Sequence, residues 1–136
     1  MPEHVIRLRA GWKLVRLDEA GLPTQDRITL PMDWASLQIV GRFVRILRSF
    51  QRPPIDSEVE STWLRVADSP GILELKLNNE SFAGGSSVVQ VALEMAIGPL
   101  SARRNELEIL VDLAEASKLP DWGKISLIIR SSPGIA

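Results

Sequence analysis

Residues 35–52, ASLQIVGRFVRILRSFQR, admit two readings. Leu37, Val40, Phe43, Val44, Leu47 and Phe50 recur at steps of three and four, the spacing of one helical face. Arg42, Arg45, Arg48 and Arg52 then fall largely off that face as a basic stripe. From Val44 onward a strand fits as well, with Val44, Ile46, Arg48 and Phe50 on one side. The frequency of β-branched and aromatic residues favours the strand. Taken as a strand, the segment makes the chain all-β; taken as a helix, it makes the chain mixed.

The rest of the chain argues for strands. In HVIRLRA, Ile6, Leu8 and Ala10 oppose Arg7 and Arg9. In VQVALEMAI, Val89, Val91, Leu93, Met95 and Ile97 oppose Gln90 and Glu94. In NELEILVDL, Leu107, Ile109, Val111 and Leu113 oppose Glu106, Glu108 and Asp112. In ISLIIRS, Ile125, Leu127 and Ile129 oppose Ser126 and Arg130. Successive side chains on a strand point to opposite faces, so each segment has one face for a core and one for water. Proline and glycine punctuate the chain at Pro31, Pro53-Pro54, Pro70-Gly71, Gly98-Pro99 and Pro120. Short strands between frequent turn signals describe a sandwich or barrel. AEASKLP predicts one short helix near residues 113–118, stopped by Pro120.

A chain of 136 residues suits one domain spanning residues 1–136. With 45% hydrophobic and 24% charged residues it has the composition of a folded protein. A net charge of -1 gives no long-range field to gather nucleic acid or an anionic membrane. Cysteine is absent, which excludes disulfides, thiolate nucleophiles and cysteine-ligated zinc. No stretch reaches the roughly 20 apolar residues of a membrane span, and MPEHVIRLRAGW lacks the apolar core of a signal peptide. The expectation is a soluble, cytoplasmic chain.

Five segments, in order, resemble the N-terminal sugar-binding domain of glycoside hydrolase family two, the β-galactosidase and β-glucuronidase group. ITLPMDW (28–34) is similar to that domain's Leu-Pro-x-x-Trp strand end. LRSFQRP (47–53) resembles its aromatic-Arg-x-Phe-x-x-Pro segment, with Leu47 at the aromatic position. STWLRVADSPGILELKLNNESF (61–82) is similar to a strand, loop and strand ending in an Asn-Gly turn, with Asn79 in place of glycine. SARRNELEILVDL (101–113) and DWGKISLIIR (121–130) resemble the two strands that follow. The resemblance implies an all-β, galactose-binding-like jelly roll, two antiparallel sheets face to face, with at most one or two short helices. It also implies a non-catalytic module, because the family's catalytic carboxylates lie in a barrel that this chain is too short to contain.

Each candidate site has a structural competitor. Asn78, Asn79 and Glu80 can hydrogen-bond sugar hydroxyls, but asparagine also favours turns. Tyrosine is absent, so stacking on a pyranose falls to four tryptophans. Trp63 lies in a strand and is expected in the core. Trp34 and Trp122 lie beside turns and are the expected ligand platforms. The arginines of residues 42–52 are expected on a solvated face or in ion pairs, since no aromatics interleave to stack bases. His4 is the one histidine, near the start of the chain, and leaves little from which to build a catalytic triad. Glu106, Glu108 and Asp112 are expected on a solvated face, without a metal. The leading expectation is a carbohydrate-binding-like module with no cofactor and no enzymatic activity, its ligand at one end of the sandwich. The alternative is a structural or protein-interaction module, homodimeric or an accessory subunit. Leu110 and Ile128, apolar on the nominally outer faces, hint at such a partner. Neither nucleic acid nor membrane is an expected partner.

Overall fold

Alternating apolar residues build ten strands in the computed structural model, which describes residues 3–17, 22–36, 41–55, 59–84, 92–98, 100 and 102–131. They are β1 (Glu3–Arg7), β2 (Trp12–Leu17), β3 (Pro23–Ile28), β4 (Phe43–Gln51), β5 (Glu60–Ala67), β6 (Ile72–Leu77), β7 (Glu80–Gly84), β8 (Ala92–Ala96), β9 (Arg104–Asp112) and β10 (Lys124–Ser131). A single 3-10 turn covers Trp34–Ser36, and α1 covers Leu113–Ala116. The short helix thus forms where AEASKLP places it.

The strands form two antiparallel sheets of four, ordered β1-β10-β5-β8, and six, ordered β3-β2-β4-β9-β6-β7. Strands far apart in sequence are neighbours, β4 beside β9 and β1 beside β10, which is the crossing connectivity of a jelly-roll sandwich. The inner faces carry the alternating residues. Leu64, Val66, Ile125, Leu127 and Ile129 of the smaller sheet are buried, as are Leu14, Ile46, Leu75, Leu107 and Ile109 of the larger one.

Residues 43–51 are strand, not helix. The inward side is Val44, Ile46, Arg48 and Phe50, the set that the strand reading picks out; register pairs Val44 with Val111, Ile46 with Ile109 and Arg48 with Leu107. Phe43, which belongs to the helical set, is 54% exposed on the other side. Leu37, Val40, Val89, Gln90 and Val91 lie outside the described residues.

Ile128 breaks the simple inside-outside rule. It points away from the core yet is fully buried, in a cross-strand row Val5–Ile128–Trp63–Ala96 on the outer side of the smaller sheet. Above that row lies a network of Glu3, Arg65, Glu94 and Arg130, with the Arg130 guanidinium 4.9 Å from the Trp63 ring centre. Ion pairs and an arginine stem therefore cover part of this face.

Candidate functional site

The Asn78-Asn79 corner is a two-residue hairpin turn between Leu77 and Glu80. Both asparagines have positive φ, 53° and 68°, as a type I′ turn demands. Asn78 is committed further. Its Nδ2 donates to Asn105 Oδ1 at 2.8 Å, its Oδ1 accepts from the Glu106 backbone N–H at 2.9 Å, and its own N–H donates to the Glu106 carbonyl. Asn105 is buried and donates in turn to the Ala102 carbonyl. Asn78 is thus a joint that ties the β6–β7 hairpin to β9. The side chains of Asn79 and Glu80 are exposed beside it.

The expectation for the tryptophans is corrected. Trp34 is 2% exposed and Trp122 is 0% exposed, so neither offers a ring face to a sugar. They pack edge to face with centres 5.4 Å apart, and Trp122 Nε1 donates to the Pro70 carbonyl at 2.7 Å. A reciprocal backbone pair between Met32 and Trp122 closes that end of the core. Trp63, expected in the core, sits half-buried on the outer face, its Nε1 donating to Ser61 Oγ. Thr62, Leu64 and Val66 take the inward positions of β5, so alternation leaves Trp63 outside with Arg65.

The arginines of residues 42–52 are spent inside the molecule. Arg42 makes a two-pronged bond to Asp112, both contacts at 2.9 Å, and Arg45 pairs with Glu108 at 3.0 Å. Arg48 donates to the Ala10 carbonyl and Arg52 to the Leu100 carbonyl. Asp112 also caps α1, accepting from the Ala114 N–H. The Arg42 guanidinium holds the Asp112 carboxyl below the ordinary carboxylate range. Glu3 is likewise lowered, chiefly by Arg130. Glu106 is exposed, and His4 is exposed on edge strand β1. Among the described residues, no three side chains of metal-ligating type cluster.

Sequence reasoning missed a groove of roughly 450 Å³ at one end of the smaller sheet. Its walls include Arg7, Arg9, Arg65 and Lys124, and its apolar surface includes Leu8, Leu30 and Pro31. The Leu30 N–H donates to the Arg9 carbonyl at 2.9 Å and Leu8 N–H to the Ile125 carbonyl, which fixes the turn against the strand end. Gly123 has φ 100°, and a Cβ there would stand 3.0 Å from the Leu30 side chain, so glycine lets Leu30 seat in the floor. The signal in the sequence was HVIRLRA: Arg7 and Arg9 alternate with Leu8, which places both on one face.

No sequence family and no curated protein matches the chain. Solved structures do match its shape. An FMN-binding β-glucuronidase from Facaelibacterium prausnitzii L2-6 aligns with TM-score 0.69 and 18% identity, over 93% of this chain and 22% of that one. A β-D-glucuronidase from Dictyoglomus thermophilum aligns with TM-score 0.66 and 15% identity, over 96% and 28%. A protein from Bacteroides fragilis assigned as a β-galactosidase aligns with TM-score 0.64 and 18% identity, over 95% and 23%. The chain therefore has the fold of one small β-sandwich portion of family two glycosidases and spans less than a third of their length.

Proposed function

We propose that the chain is a non-catalytic, carbohydrate-binding-like module of the kind that accompanies a glycosidase barrel. The observation that carries this is the likeness in fold, over nearly the whole chain, to a portion of glycosidases that makes up less than a third of each. Glycoside hydrolysis needs two carboxyl groups across one bond, one of them kept protonated. Glu3 and Asp112 are instead held ionised by arginine, and Glu108 is paired with Arg45. With Trp34 and Trp122 in the core, Asn79 and Glu80 at the hairpin tip are the expected residues left to touch a ligand there. A glycan array followed by calorimetry tests the reading: binding to at least one saccharide class at millimolar concentration or tighter supports it, and silence across neutral and acidic glycans removes it.

The row Val5–Ile128–Trp63–Ala96 favours a second reading, an interaction module whose smaller sheet meets a partner. Val5 is 42% exposed at the edge of that row. Light scattering across a hundredfold range of concentration separates a homodimer from a monomer.

A further inference from the structure

We propose that the groove beside Leu30-Pro31 is a binding site for an acidic saccharide, a sugar carrying a carboxylate or sulfate. This rests on the carbohydrate-binding reading and adds to it a ligand class and a site apart from the Asn79-Glu80 hairpin tip. The charge is lopsided. Among the described residues, four cations line the groove, Arg7, Arg9, Arg65 and Lys124, and no carboxylate does. Two of the four are answered from outside it, Arg65 by Glu3 and Glu94, and Lys124 by Asp68 at 2.8 Å. The guanidinium groups of Arg7 and Arg9 have no hydrogen-bond or ion-pair partner among the described residues. Two unanswered guanidinium groups on one wall of a concavity present paired N–H donors that match a carboxylate or sulfate.

The floor fits the rest of a sugar. Leu8, Leu30 and Ile125 are buried beneath it, and Pro31 and Ala67 add apolar surface against which the C–H face of a pyranose rests. The volume lies within the range of small-ligand sites. Among the described residues, no aromatic side chain lines the groove to supply the stacking platforms of single-stranded nucleic-acid channels. The sheet supplies rigidity, since Arg7 is in register with Ser126 and Ser126 with Arg65.

The test is calorimetry on the full chain with four probes: tetragalacturonate, a heparin-derived tetrasaccharide, a neutral galacto-tetrasaccharide and a single-stranded DNA 8-mer. Binding of either acidic sugar supports the proposal if it weakens at least tenfold in the Arg7→Gln/Arg9→Gln double variant and weakens with added salt. The carboxylated and sulfated arms tell the two sources of charge apart. Arg27→Gln is the control, an exposed residue on edge strand β3 with the same change of charge. Equal weakening in that control overturns the proposal, as does tighter binding of the DNA. Binding of the neutral sugar alone overturns the groove assignment and leaves the carbohydrate reading standing. Binding of none of the probes, with a glycan array also silent, removes both. Far-ultraviolet circular dichroism on each variant shows that a loss of affinity is not a loss of fold.

Discussion

At the Asn78-Asn79 turn two neighbouring asparagines hold the backbone on the left-handed side, yet they are not equivalent. Asn79 contributes mainly its tolerance of φ 68°, which glycine supplies at lower cost. Asn79→Gly is expected to stabilise the fold by up to about 1 kcal/mol, read as a rise in the urea midpoint at constant slope. Asn78→Gly relieves the same backbone but removes the bonds to Asn105 and Glu106, and is expected to destabilise. If both variants gain stability, the joint between hairpin and β9 is not what holds this corner. This turn was legible because its cause is local. The fate of the tryptophans was not. A general preference of aromatic rings for burial placed Trp63 inside, although ESTWLRVA already sets it opposite Thr62, Leu64 and Val66. Trp34 and Trp122 lie near turns in sequence, but a long-range backbone pair with Met32 folds them inward, and no local pattern encodes that pairing.

Where β9 ends, one residue joins three elements. The Asp112 N–H donates to the Gly71 carbonyl, its side chain caps α1, and Arg42 at the entrance to β4 grips its two oxygens. Gly71 is required there, since a Cβ would come within 2.6 Å of the Asp112 carbonyl oxygen. Asp112→Ala removes cap and ion pair together and is expected to cost at least the ~1 kcal/mol of a lost cap. Asp112→Asn keeps a capping oxygen and is expected to cost less. The pH dependence separates the two roles. Arginine lowers the pKa of the folded carboxyl below that of the unfolded chain, so the unfolded state binds the proton more readily. The stabilisation is full above the unfolded value near 3.8 and is lost as pH falls from there through the lower folded value. Urea midpoints measured from pH 6 down to pH 2.5 are expected to fall less steeply in Asp112→Asn than in the parent. Equal slopes would mean that Arg42 and Asp112 are not coupled in solution. Both readings of residues 35–52 were physically sound, because a two-residue and a 3.6-residue period agree over so short a run. The larger sheet decides between them, by offering β2 and β9 as partners on either side of β4.

The whole molecule is closed by contacts between the extremes of the described chain. Strand β1 at residues 3–7 pairs with β10 at residues 126–130, and β10 lies against β5. The two sheets share one core that reaches from Trp12 and Leu14 to Ile125 and Leu127, so neither has a separate apolar interior to retain when the other opens. One cooperative unfolding transition is therefore expected. Far-ultraviolet circular dichroism follows the sheets, while tryptophan emission includes the three rings buried in the core, Trp12, Trp34 and Trp122. The two urea curves should superimpose, with a single slope. Refolding should take milliseconds to seconds, because most pairings join distant segments and their loop-closure cost comes before any gain from burial. Emission that shifts at lower urea than the dichroism would mean that the Trp34–Trp122 end loosens while the sheets stay paired, and the single shared core would then be the wrong description of how the sandwich holds together.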